Sequence, residues 1–129
     1  MGRSYEPSGV KIIERRTYSP EELADKLSPV IDDICSVYQP ERIILFGSAA
    51  QGSTWHDLDL IVIAKTEDRF FDRLKKIALA KRSWVPADIM VFTPDELRQA
   101  VEDDRVFIVE EVLKKGKTVY ERDGRRGLA

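Results

Sequence analysis

Apolar positions along this chain fall into two rhythms. Leu23, Leu27, Val30, Ile31 and Ile34 recur every three or four residues, the spacing of one buried helix face. Ser19-Pro20-Glu21-Glu22 stands just ahead of them, with an N-cap serine, a proline in the first turn and a glutamate at the third position. Pro29 interrupts the pattern, so the helix is expected to kink there or to restart from Ser28. Gln39-Pro40-Glu41 closes it. Three short runs then follow the other rhythm: Arg42–Phe46 (RIILF), Leu58–Ala64 (LDLIVIA) and Ala87–Phe92 (ADIMVF). RIILF, ending at Gly47, reads as a strand buried on both faces, LDLIVIA as a second buried strand and ADIMVF as a third strand. Between the last two, Phe70, Phe71, Leu74, Ile77 and Ala78 mark a helix within Glu67–Lys81. Thr93-Pro94-Asp95-Glu96 repeats the helix-start chemistry, Val106 to Leu113 continues a helical face, and Gly116 supplies a stop. Lys117–Glu121 (KTVYE) is a candidate last strand.

Strands alternating with helices indicate an α/β or α+β sheet domain. Residues 1–18, with a short alternating patch at Val10–Ile13, read as an N-terminal extension, ordered in part at most. Residues 19–122 form the domain, and residues 123–129 a tail.

Composition narrows the partners. With 43% apolar and 34% charged residues, a packed core is expected. The net charge of −2 provides no broad basic field for a nucleic-acid backbone. Lys75-Lys76, Lys81-Arg82 and Lys114-Lys115 read as solvated helix faces rather than a track for nucleic acid. No run reaches the roughly 20 apolar residues that cross a bilayer, and Met1–Pro7 lacks a signal-peptide core. A single cysteine, Cys35, excludes an internal disulfide and makes a cytoplasmic location the simplest expectation. It lies on the first helix among Ile31, Ile34 and Val37, where a structural thiol is expected rather than a nucleophile.

The chemistry concentrates between the first two strands. Asp57 and Asp59 stand two residues apart where LDLIVIA begins, so their side chains share a face with Cα atoms about 7 Å apart. Both can reach one hard cation such as Mg²⁺, which takes oxygen ligands. Without a partner, two carboxylates at the edge of a core repel each other and lose hydration. Gly47-Ser48 follows RIILF directly, where a residue without a side chain lets backbone N–H groups approach a phosphate. Asp88 opens ADIMVF on the face of Met90 and Phe92. If this strand lies beside LDLIVIA with the aspartate faces aligned, three carboxylates converge, an arrangement suited to two-metal phosphoryl chemistry. It also offers a candidate base for an acceptor hydroxyl.

The segments FGSAAQGSTWHDLDLIVI and ADIMVFTPDEL, with the ending EEVLKKGKTVYE, resemble the minimal nucleotidyltransferases of the polymerase-beta-like superfamily. The resemblance runs from about Pro20 to Glu121. It implies a small mixed sheet with helices packed mainly on one side. By position it implies that Gly47 and Ser48 bind the triphosphate, and that Asp57, Asp59 and Asp88 hold Mg²⁺, or Mn²⁺ in its place. The activity implied is transfer of a nucleoside monophosphate, AMP from ATP, onto an acceptor hydroxyl. A HEPN-type toxin whose antitoxin this chain would be is the implied partner, and a homo-oligomer is the alternative. Three features depart from the family's habit: a short loop of eight residues between Ser48 and Asp57, Gln51 in place of a loop arginine, and His56 where a serine commonly stands.

Other loop residues stay open between roles. Ser53 is a nucleotide-binding candidate or the start of a helical turn, and Trp55 either stacks on a base or covers a core edge. His56 reads as solvent-facing. Two functional classes compete: a working nucleotidyltransferase, favoured by the complete carboxylate set, and a non-catalytic nucleotide- or protein-binding module of the same fold, favoured by Gln51.

Overall fold

The three apolar runs form three neighbouring strands of one sheet. The computed structural model describes residues 3–5, 11–13 and 15–123. In it β3 (Arg42–Phe46), β4 (Leu58–Ile63), β5 (Ala87–Phe92) and β6 (Lys117–Glu121) stand in the order β5-β4-β3-β6. β4 and β5 run parallel, and β3 is antiparallel to both β4 and β6. The parallel pair needs a crossover, which α2 (Phe70–Ala80) supplies.

The runs are continuously apolar because alternate residues face two separate cores. On one face Leu45, Leu60, Val62 and Val91 pack with Leu27, Val30, Ile31 and Ile34 of α1 (Leu23–Cys35) and Ile77 of α2. On the other, Ile44, Phe46, Ile61 and Ile63 lie under Ala100 of α3 (Pro94–Glu102) and Ile108 and Val112 of α4 (Phe107–Lys114). The larger core and the two longer helices, α1 and α2, share the first face, while α3 and α4 cover the other, so the helices are divided between the two sides rather than gathered on one.

Both expected helix starts form capping boxes, at Ser19 with Glu22 and at Thr93 with Glu96. Pro29 ends nothing: α1 runs on through it and does not restart at Ser28. Pro29 and Asp25, whose carbonyl loses its partner, are both exposed, so water can satisfy that carbonyl. The helical face after Val106 winds as a π-helix, whose wider turn brings residues four apart, Ile108 and Val112, onto the same core.

Residues 3–5 and 11–13 of the N-terminal extension pair as antiparallel β1 (Arg3–Tyr5) and β2 (Lys11–Ile13). The packed structure reaches back to Tyr18, which is 5% exposed. Of the expected tail, residues 124–129 lie outside the described residues.

The buried Arg73 carries no signal in the sequence pattern. Its guanidinium, on the helical face of α2, donates to the Val91 and Asp68 carbonyls and pairs with Glu96 at 2.6 Å. A charge this deep is tolerated because its donors are spoken for, and the bond to Glu96 holds that carboxyl below its usual range.

Candidate active site

β3 delivers the chain to Gly47, whose backbone conformation sets the shape of the turn beyond it. Gly47 has φ +78° and ψ −162°, a conformation that side chains rarely allow. The chain then tightens into a 3₁₀ turn, Ser48–Gln51, whose Ala49 and Ala50 are buried. The Ala50 N–H donates to the Gly47 carbonyl at 3.1 Å, and Gly52 closes the turn in the left-handed region at φ +77°. Phe46 is the cross-strand partner of Asp59. A methyl group added to Gly47 would overlap Asp59 Oδ2, so the carboxylate lies directly against the glycine Cα. The Ser48 side chain is exposed beside this contact. Ser53 is exposed too, and its backbone N–H closes the turn onto the Ser48 carbonyl at 3.4 Å.

The parallel register of β4 and β5 places Asp59 opposite Asp88. Both project from the face that carries Ile61, Ile63, Met90 and Phe92. Asp57 stands just ahead of β4, near enough for its charge to act on Asp59. The alignment that the sequence left conditional is therefore present. Its electrostatic result falls on the middle carboxylate. Partial burial raises Asp59 above the ordinary carboxylate range, and the negative charges of Asp57 and Asp88 raise it further. Asp88 is the most exposed of the three.

These residues fit a divalent cation by donor type and by charge: three hard oxygen donors, mutually repelling, around one partly dehydrated carboxyl. The fit is one of placement rather than of finished coordination. Among the described residues, no three acidic, histidine or cysteine side chains gather tightly enough to hold a metal ion. Two clefts lie away from the carboxylates: one at the opposite end of the sheet between Cys35, Tyr38, Lys65 and Tyr120, and an apolar hollow by Phe70, Met90, Phe92 and Ala100, further along the carboxylates' own face.

Trp55 is core: it is 1% exposed, stacks on Tyr18 with ring centroids 4.4 Å apart and donates from Nε1 to the Ser19 carbonyl. That burial removes it as a base-stacking surface. His56 is exposed, as expected, with Nδ1 3.1 Å from the Arg16 carbonyl. Cys35 is half-buried at the rim of the larger core. Arg15, unremarked in the sequence, places its Nη2 3.2 Å from Asp57 Oδ1. Nothing in its sequence neighbourhood could have flagged it, because the pairing spans 42 positions.

Among the described residues no helix is long and apolar enough to cross a membrane. No curated protein matches the chain. A solved structure assigned as a nucleotidyltransferase of Sulfolobus solfataricus superposes with a TM-score of 0.57 at 22% identity, covering 84% of this chain and 92% of that one. At that identity it speaks for the fold alone. The family described as polymerase beta, nucleotidyltransferase matches residues 30–125, a span that holds Gly47, Ser48 and all three aspartates. The chain belongs to the polymerase beta nucleotidyltransferase family.

Proposed function

We propose that this chain transfers AMP from ATP onto a hydroxyl group of a partner protein, using Mg²⁺ held by Asp57, Asp59 and Asp88. The observation that carries the reading is the direct pairing of Asp59 with Asp88 across two parallel strands, with Gly47 laid against Asp59. A Mg²⁺ ion bound there supplies charge neutralisation for the phosphoryl oxygens and polarises the acceptor oxygen. Gly47 keeps the approach to Asp59 free of a side chain, and the Ser48 hydroxyl offers a donor to a phosphate oxygen. In the transfer the acceptor oxygen bonds to the α-phosphorus, the bond from that phosphorus to the α–β bridging oxygen breaks, and pyrophosphate leaves. Asp88, the most exposed carboxylate, is placed to take the acceptor's proton. A HEPN-type toxin is the partner we favour, the chain acting as its antitoxin.

The test is to mix the chain with Mg²⁺, its partner protein and labelled ATP. Label at the α-phosphate is expected on the partner with release of pyrophosphate, and label at the γ-phosphate is expected to leave it bare. A second reading, neutralisation of the partner by contact alone, draws on one feature: the loop from Ser48 to His56 has no lysine or arginine. A partner held tightly yet never labelled would favour that second reading.

A further inference from the structure

The segment from Arg15 to Ser19 is strapped across the start of β4. Tyr18 forms an isolated antiparallel bridge with Trp55, with Tyr18 N to Trp55 O at 2.8 Å and Trp55 N to Tyr18 O at 3.0 Å. Their rings stack inside the core, the Trp55 indole N–H donates to the Ser19 carbonyl, and His56 holds the Arg16 carbonyl. Arg16 covers the Tyr18 ring at 4.3 Å and pairs with Glu22 at 2.7 Å. The contacts with Trp55 and His56, the Tyr18 backbone bridge among them, fix the strap within two residues of Asp57 and do not depend on the Arg16 side chain. Arg15 is the strap's next residue, and it spends its guanidinium on Asp57.

We propose that Arg15 is a polyphosphate-binding residue, parked on Asp57 until a divalent cation displaces it. The inference rests on the reading of Asp57 as a cation ligand. The guanidinium at 3.2 Å and an incoming cation compete for the same carboxylate oxygens. The Arg15 side chain is 65% exposed and that of Asp57 36%, so solvent screens the pair and it is weak and readily exchanged. Once displaced, Arg15 remains tethered through Tyr18 within a side chain's length of the site. The nearest new anion is then the polyphosphate on the Gly47-Ser48 turn. That turn needs a cation from outside, because no lysine or arginine lies between Ser48 and Asp57. A guanidinium matches phosphate oxygens in a two-pronged geometry that an ammonium lacks.

The consequence is a pair of opposite effects from one substitution. Arg15→Ala frees Asp57, so Mn²⁺ alone, titrated by the loss of its free paramagnetic signal, is expected to bind about two- to fivefold more tightly, the scale of an exposed ion pair. The same variant is expected to bind Mg²⁺-ATP about tenfold more weakly, the scale of a lost charged phosphate contact. Arg16→Ala keeps Arg15 in place and is expected to move neither affinity by as much. Asp57→Asn, measured in parallel, separates the two layers. If it weakens Mn²⁺ while Arg15→Ala changes neither affinity, Arg15 is only a surface ion pair and the inference falls alone. If Asp57→Asn leaves Mn²⁺ binding intact, the cation reading falls and the inference falls with it. Arg15→Ala binding Mn²⁺ more weakly than the parent would also overturn it.

Discussion

Removing a negative charge from the site should make the ligand-free protein more stable. Asp59 is squeezed by partial burial and by two like charges, and Asp59→Asn preserves its shape while ending the repulsion. Adjacent strands lie about 4.8 Å apart, which puts the Asp59 and Asp88 carboxylates on the order of 5–6 Å from each other. Two unit charges 4 Å apart interact by about 1 kcal/mol in water and about 4 kcal/mol at an effective dielectric constant of 20. Asp59 is only partly buried and Asp88 is exposed, so the lower part of that range applies, giving on the order of 1–2 kcal/mol for the two repulsions together. In a domain of this size that corresponds to a Tm increase of roughly 3–8 °C. The sign with pH comes from the raised carboxyl. The native state holds the Asp59 proton above the ordinary carboxyl value of 3.8, where the unfolded chain has lost it. Stability of the parent therefore falls as pH rises from that value through the raised one, and the advantage of Asp59→Asn is lost in acid and complete at neutral pH. Molar salt should shrink the advantage, since screening then acts within about 3 Å. Thermal melting at several pH values, without divalent cations, is the assay. An Asp59→Asn protein no more stable than its parent at neutral pH would refute the electrostatic account.

Mg²⁺-ATP at a hundredfold excess over its dissociation constant should raise the parent's stability by about 2.7 kcal/mol and the Asp57→Asn, Asp59→Asn double variant by far less, read from the same melts. Gly47→Ala should destabilise the ligand-free protein by about 1–3 kcal/mol in chemical denaturation, because the backbone conformation and the Asp59 carboxylate both oppose a side chain. Gly52→Ala, left-handed but in open space, should lose only about 1 kcal/mol in the same denaturation series. Trp55→Ala should lose about 3–5 kcal/mol and remove the blue-shifted part of the tryptophan fluorescence, whereas Trp84→Ala, at a site 96% exposed, should change stability little. Glu96→Gln should lose about 1–2 kcal/mol on denaturation by weakening the partner of the buried Arg73.

What the sequence made legible was local. β3 and β5 keep the bounds of RIILF and ADIMVF: β3, buried along nearly its whole length, shows as an apolar run, and β5 as a mostly apolar one opened by Asp88. The two serine- or threonine-proline starts are readable because a capping box is complete within four residues. The nearness of Asp57 to Asp59 follows from their two-residue spacing, although β4 begins only at Leu58. The convergence of Asp88 depends on strand order, which no single segment encodes, and the parallel β4–β5 register supplies it. The features that escape are pairings between distant positions. Tyr18 reads as part of a polar extension because its partner, Trp55, is 37 positions away in the chain. Arg73 lies on a helix whose charged residues mostly face water, and only the packing of α2 beside Val91 and Glu96 explains its burial. Pro29 reads as a break because its surroundings, exposed on the same side as Asp25, are not visible in the sequence.

The central claim is that Asp57, Asp59 and Asp88 hold a divalent cation at the Gly47-Ser48 turn. A crystal of the chain grown with Mn²⁺ and an ATP analogue whose α–β bridge resists cleavage tests it directly, through the anomalous scattering of manganese. The account predicts an anomalous peak with oxygens of these aspartates about 2.1–2.2 Å from it. It also predicts the polyphosphate against Gly47 and Ser48, and Arg15 withdrawn from Asp57. Manganese bound away from all three aspartates, or a nucleotide seated elsewhere on the sheet, would contradict it.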